Sequence, residues 1–277
     1  MDGKTLVLYV FHEKNDRVDQ FLSNCLFQDP LVNFIVISNG YQATIANSNL
    51  PNNVTYFRRK NKGFDFGGWS DALFYSENYK RYDNFIFLNS SVIGPFLPMD
   101  YSGKWTDIFV NGLNGDVRLF GSTINTLGDA TNKAHVQSYV FAMDRQTLTY
   151  LITCGIFSPT YVDTFDEAIW QKEVLMSRKV IENGWNIGCL QPLYQGIDFR
   201  AASLAVSLDD VCYPEFEGIH WTKEQLVFLK GNRKKRPDRI LLRIQRILHW
   251  IQWMSCLVLC LVISLLARNY NTVFCLS

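Results

Sequence analysis

Cysteine chemistry is the first thing this sequence lacks. Its seven cysteines, Cys25, Cys154, Cys189, Cys212, Cys256, Cys260 and Cys275, are odd in number and widely spaced. They form no C-x-x-C pair and no zinc-ligand pattern, which argues against a disulfide framework and a structural zinc site. Reduced thiols in a cytosolic compartment are the expectation. Met1-Asp-Gly-Lys runs straight into an apolar extended stretch with no n-region or h-region, so no signal peptide is expected. The sequons Asn53-Val-Thr and Asn89-Ser-Ser then carry no glycosylation meaning. Internal repeats and low-complexity runs are absent, as is a C-terminal prenylation box, since Cys275 is third from the end. The glycines around residues 63–68 fit neither G-x-G-x-x-G nor G-x-x-x-x-G-K-[ST], so neither standard phosphate fingerprint applies.

What is present is apolar and aromatic. The 277 residues are 48% hydrophobic and 14% aromatic, enough for a sizeable core. The net charge of +1 hides an asymmetry. From Lys230 onward the basic residues are Lys230, Arg233, Lys234, Lys235, Arg236, Arg239, Arg243, Arg246 and Arg268, against the single acid Asp238. The remainder is net acidic. An acidic globule with a basic end does not fit a nucleic-acid binder; it fits a domain with a membrane- or partner-directed tail.

Thr5–Phe11, Asn33–Ser38, Val54–Arg58 and Asn84–Leu88 read as strands, the first two as buried ones. Asp16–Phe27 and Ser70–Tyr79 read as helices between them, with Gln42–Asn53 a polar loop or short helix. The second half is less regular. It suggests a short helix over Trp105–Leu113 and strands over Arg118–Ile124, Val136–Met143 and Trp185–Leu190. Helices are expected over Asp144–Cys154 and Asp163–Asn183, and Ala201–Asp209 closes the globule. Alternating strands and helices predict an α/β fold, a mostly parallel sheet with helices on both faces. Ligands of such sheets bind at the C-terminal strand ends. That rule gathers His12, Asn39, the Lys62–Gly68 turn and Asn89-Ser90-Ser91 on one edge.

Asn61–Trp69 (N-K-G-F-D-F-G-G-W) follows a strand and precedes a helix, with Asp65 a lone acid between aromatics. Its glycines predict a sharp turn or close approach to a ligand. A tight turn packed by Phe64, Phe66 and Trp69 is the alternative. Asn39 ends the second strand directly before Gly40, where turn residues are favoured.

The sequence predicts a boundary near Lys230, dividing a 1–229 domain from a 230–277 tail. Ile240–Ile251 patterns as a basic amphipathic helix. Trp253–Ala267 is almost continuously apolar and, counted from Trp250, reaches about the ~20 residues that span a bilayer. A cytoplasmic protein held to a membrane by this tail is the expectation, with spanning and interfacial arrangements both open.

N-K-G-F-D-F-G-G-W followed by F-L-N-S-S-V-I-G-P-F-L-P (Phe87–Pro98) resembles polysaccharide-building glycosyltransferases of the rhamnan-synthesis F type and the capsid-glycan glycosyltransferases of chlorella viruses. The resemblance runs over roughly Thr5–Leu193. It takes in His12, H-V-Q-S-Y (His135–Tyr139) and the helix Glu173–Trp185. It implies a GT-A-like domain that binds a nucleoside-diphosphate sugar, UDP-linked by preference, and adds xylose or, next, rhamnose to a hydroxyl of a growing glycan. Donor-binding residues implied are His12, Asn39, Lys62, Gly63, Asp65, Asn89, Ser90 and Ser91. Arg58 and Arg59 would lend positive charge, and His135 and Gln137 would face the acceptor or diphosphate. Many such enzymes carry D-x-D after the fourth strand to hold Mn2+ or Mg2+. Here that place is Asn89-Ser90-Ser91, without a carboxylate. The resemblance makes Glu173 the base of an inverting transfer, with Asp163, Asp166 and Glu167 as rivals. A membrane-tethered module that binds glycans or nucleotides without turnover is the alternative.

Overall fold

The computed structural model describes residues 3–40, 50–126, 134–201, 215–216 and 219–232. The chain divides into two compact units, Met1–Asn232 and Arg233–Ser277, and every described residue lies in the first. The expectations for most of Gln42–Asn53, for most of Ala201–Asp209 and for the amphipathic and apolar tail fall outside the described residues. Among the described residues no helix is long and apolar enough to cross a membrane.

The first half alternates as its apolar periodicity predicts: β1 (Thr5–Phe11), α1 (Asp16–Asn24), β2 (Val32–Asn39), β3 (Val54–Arg59), α2 (Phe64–Phe74), α3 (Asn78–Arg81) and β4 (Asn84–Asn89). There follow β5 (Val92–Ile93), α4 (Trp105–Asn111), β6 (Val117–Gly121), β7 (Ile124–Asn125), β8 (His135–Val136), β9 (Val140–Asp144) and α5 (Arg145–Thr153). The helix α6 is built from Phe165–Glu167, a π-helical stretch Ala168–Val174 and Leu175–Glu182. Strand β10 (Asn186–Cys189), the short pair β11 (Glu215–Phe216) and β12 (Ile219–His220), α7 (Lys223–Leu226) and β13 (Leu229–Lys230) complete the described chain.

Seven strands form one sheet in the order β10-β6-β9-β4-β1-β2-β3. All are mutually parallel except β9, which runs antiparallel to both β4 and β6. The chain is therefore α/β with a mostly parallel sheet. Strand β1 is buried along its whole length because both faces are covered. Leu6, Leu8 and Val10 join one core with Phe66, Trp69 and Leu73 of α2, Leu148 of α5 and Met176 of α6. Val7, Tyr9 and Phe11 join the other with Val18 and Phe21 of α1, Trp105 and Phe109 of α4, and Phe228.

Three expectations change: Arg118–Ile124 and Val136–Met143, each read as one strand, are each divided between the seven-stranded sheet (β6, β9) and the β7–β8 pair, and one helix starts earlier. The helix predicted to begin at Ser70 begins at Phe64 and ends at Phe74, so Gly67 and Gly68 are helical rather than part of a turn. Only Gly63 and Phe64 carry the sharp reversal, with φ of 69° and 54°. Tertiary packing outweighs the low helix propensity of glycine here. A methyl group on Gly67 would sit 2.2 Å from the Lys62 carbonyl oxygen. One on Gly68 would meet Val10 Cγ2 at 2.8 Å and Asn39 Oδ1 at 2.9 Å. The glycines let α2 lie directly on the ends of β1 and β2.

Helix propensity alone predicts that Gly67→Ala stabilises the protein by up to about 1 kcal/mol. The clash predicts the opposite sign, a net loss of about 1–3 kcal/mol. Urea unfolding of the Gly67→Ala protein should show that loss.

Candidate active site

The strand ends collect the polar residues. Asn39, at the end of β2, is buried and fully engaged: its Nδ2 donates to the Phe64 carbonyl at 2.9 Å and its Oδ1 accepts from Arg59 Nη1 at 2.8 Å. His12 Nδ1 hydrogen-bonds the Asn39 carbonyl at 2.8 Å. Arg59 is buried too and pairs with Asp71 through Nε at 2.6 Å. Asp71 in turn accepts from Tyr161 Oη at 2.7 Å. This clamp fixes the left-handed Phe64 turn and so the direction of the first turn of α2. Arg59 is thereby committed inside the protein, while Arg58 and Lys62 are exposed. Lys62, Gly63 and Phe64 line a cleft of about 340 Å³ with Asn61, Tyr161, Val162 and Asp163.

Asp65 lies in the first turn of α2 and is bonded to the end of β4. Asn89 Nδ2 donates to Asp65 Oδ2 at 2.9 Å. Asn89 Oδ1 accepts from the Ser91 backbone N–H at 3.0 Å and from the Ser91 hydroxyl. The Ser90 carbonyl accepts from Arg17 Nε at 2.8 Å. Burial pushes the Asp65 carboxyl up to about 6; the Asn89 bond opposes this, the Glu173 charge adds to it and the Lys230 ammonium opposes it.

Across the same edge, the β7–β8 ladder pairs Asn125 with His135. Val136 N–H donates to Ser177 Oγ of α6 at 3.0 Å, which draws α6 against β8. Glu173 is four residues before Ser177 and faces the same way. It lies in the π-helical stretch, an irregularity frequent at functional sites. Its Oε1 is 3.3 Å from His135 Nε2, and its Oε2 accepts from the Ser138 N–H at 3.0 Å and from the Ser138 hydroxyl. Burial disfavours the Glu173 carboxylate, yet these donors outweigh it and hold the carboxyl down at about 2. Gln137 is buried on a neighbouring network: Thr123 Oγ1 is 3.0 Å from Gln137 Oε1 and 2.9 Å from Tyr139 Oη.

The structure thus brings together Asp65 with Asn89 and Ser91, and Glu173 with His135, while Gln137 and Asn39 are turned to internal partners. Of the rivals, Asp163 lines the cleft with Lys62, and Asp166 and Glu167 lie in the first turn of α6. Glu167 closes a capping box on Thr164. Sequence reading passed over Ser138, Tyr139 and Lys230. Ser138 and Tyr139 sit inside the H-V-Q-S-Y motif, so the signal was there. Lys230 was grouped with the basic tail, but it pairs with Val92 in the β13–β5 ladder.

The end of β4 does not suit a divalent metal. Asn89 turns its amide nitrogen, a donor group, toward Asp65, and its oxygen is already engaged by Ser91. Hard cations require anionic or carbonyl oxygens. Among the described residues no group of three or more His, Cys, Asp or Glu side chains is arranged to hold a metal.

The family model for rhamnan synthesis protein F matches residues 34–193. The chain belongs to the rhamnan synthesis protein F family. The matched span of this glycosyltransferase-like family contains Asn39, the Asp65–Asn89 pair and the Glu173–His135 pair, and leaves out His12 and Lys230. No curated protein matches the chain. A solved structure described as "Crystal Structure of a Mycobacterial Protein" matches 53% of this chain and 55% of its own length, at 19% identity and a TM-score of 0.32. The chain spans about half the length of that protein, and so distant a likeness carries no argument about the rhamnan synthesis F member described here.

Because Glu173 is held below its ordinary range, it contributes stability above about pH 4.5, which is lost as pH falls toward 2. Glu173→Gln should cost about 1–3 kcal/mol at neutral pH. Thermal melting against pH should show the gap between wild type and variant closing on acidification; a constant gap would contradict the pairing.

Proposed function

We propose that this rhamnan synthesis F member is a GT-A-like, inverting glycosyltransferase. It moves a sugar, xylose first and rhamnose second, from a nucleoside-diphosphate donor, UDP-linked by preference, to a hydroxyl of a growing glycan. The observation that carries this reading is the Asp65–Asn89 pair at the C-terminal edge of the sheet, on which the charge of a second carboxylate, Glu173, acts. Family membership supports glycan synthesis; the rest follows from chemistry.

Inverting transfer needs a carboxylate that removes the acceptor proton as the acceptor oxygen attacks C1. Two carboxylates with proton affinities pushed apart divide such roles. The resemblance favoured Glu173 as base. The geometry favours Asp65, because Glu173 is already saturated by His135 and Ser138 and held near 2, where it is a poor proton acceptor. Asp65, at about 6, is matched to work at neutral pH. The acceptor O–H proton passes to Asp65, the new C1–O bond forms, and the bond from C1 to the phosphate oxygen breaks with its electron pair leaving on the diphosphate. Glu173 then serves to orient His135 toward the substrate. Asn89, Ser90 and Ser91 hold donor oxygens, and Lys62 and Gly63 line a cleft with Tyr161 and Asp163. The tail from residue 230 or shortly after it is read as a cytoplasmic membrane attachment, on its basic amphipathic and apolar sequence.

A panel of UDP- and GDP-sugars with a glycan acceptor tests the reaction. Turnover with an inverted anomeric product is expected; donor binding with neither transfer nor hydrolysis would leave a binding module instead. Asp65→Asn should lower kcat by roughly 10²–10⁴-fold with donor affinity retained. In the wild type, kcat/KM should fall as pH drops below about 6, since Asp65 is then protonated. An unaltered rate in Asp65→Asn, with loss in Glu173→Gln at unchanged fold, would return the base role to Glu173.

A further inference from the structure

A departing nucleoside diphosphate gathers negative charge that something must neutralise. The end of β4 offers no carboxylate to bring a metal there, and Arg59 is locked to Asn39 and Asp71. Arg17 is engaged through Nε with the Ser90 carbonyl, and a further cation at this edge comes from another part of the chain.

The segment Trp221–Asn232 crosses the strand ends as a strap. Its short helix α7 is capped at Thr222, whose hydroxyl accepts from the Gln225 N–H at 3.2 Å. The Ser122 hydroxyl donates to the Leu226 carbonyl at 2.8 Å, and the Phe96 N–H donates to the Val227 carbonyl at 2.7 Å. Phe228 is fully buried, its ring 5.2 Å from Trp105 and 6.0 Å from Phe109. Val227 takes a left-handed φ of 62°, a conformation costly for a β-branched residue and tolerated only where the surroundings dictate it. Beyond it, Leu229 pairs with Ile93 and Lys230 with Val92, and the Gly231 N–H donates to the Ser91 carbonyl at 2.6 Å. The strap is therefore pinned on both sides of Lys230, directly against the Asn89–Ser91 turn.

The Lys230 side chain is half-buried and lies over the Tyr139 ring, its Nζ 6.0 Å from the centroid. Its charge acts on both Asp65 and Glu173. A single ammonium thus lowers the proton affinity of both carboxylates through its charge.

We propose that Lys230 is the phosphate-binding cation of this site: it contacts the donor diphosphate and neutralises it as the C1–O bond breaks, and the Trp221–Asn232 strap exists to hold it there. The inference rests on the transferase reading and names the group that replaces a metal at the leaving oxygen. Lys230 transfers no proton; the electron pair goes to the phosphate oxygen, and the acceptor proton goes to Asp65. A lysine suits this role as a compact point charge.

Calorimetric titration of the full chain with UDP, GDP and uridine, together with turnover, separates the two claims. Wild type should bind a nucleoside diphosphate more tightly than the nucleoside. Lys230→Gln should weaken diphosphate binding by about ten- to hundredfold, one charged hydrogen bond, while nucleoside binding stays within about twofold. Lys230→Arg should recover part of the loss. Ethylammonium added to Lys230→Ala should restore part of the turnover, a readout that a folding defect would not give. Diphosphate affinity and turnover unchanged in Lys230→Gln would overturn the assignment while leaving the transferase intact. Failure of folded wild type to bind either diphosphate would overturn both.

Discussion

Helix α2 can lie against Val10 and Asn39 only because residue 68 has no side chain. That contact sets the α2 side of the candidate site. It brings the start of α2 over the ends of β1 and β2, where Asn39 can hold the Phe64 carbonyl and Arg59 at once. The left-handed Gly63-Phe64 turn then delivers Asp65 to Asn89 at the end of β4. A buried amide with both ends satisfied is a rigid joint, since breaking either bond strands a polar group away from water. The glycines serve packing first and leave the polar chemistry to Asp65 and its partners.

The two carboxylates show how neighbours divide one residue type into different roles. Glu173 is surrounded by donors and stays ionised. Asp65 is half-buried with one amide donor and the charge of Glu173 acting on it, and its proton affinity rises. The lysine whose charge acts on both of them arrives from the strap at the end of the described chain. Charge balance at this edge is thus assembled from β4, α2, α6 and β13, elements far apart in sequence.

Much of the fold was legible because buried parallel strands announce themselves. T-L-V-L-Y-V-F and N-F-I-F-L carry no alternation to confuse, and the observed β1 and β4 match them to within a residue. The start of α2 was not legible, because three glycines in six residues look like a turn to any local reading; only the facing Val10 and Asn39 explain a helix there. Of the site, the sequence singled out Asp65, Asn89, His135 and Glu173 one by one; that Asp65 meets Asn89 and Glu173 meets His135 is seen only in the structure. Nor could the sequence tell that Asn39 and Arg59 satisfy each other, since that depends on two strand ends meeting. Lys230 was hidden by its company: as the first of nine basic residues it looked like tail, and only its pairing with Val92 separates it from them.

The central claim is that the strand-end edge around Asp65, Asn89 and Lys230 receives the donor. A crystal structure of the chain with a nucleoside diphosphate tests it most directly. The account predicts the diphosphate against the Asn89–Ser91 turn, with Lys230 on its oxygens and Asp65 facing the vacant sugar position. A diphosphate seated instead in the wider groove of about 750 Å³ between Arg145, Tyr150, Asn183 and Trp185 would contradict it.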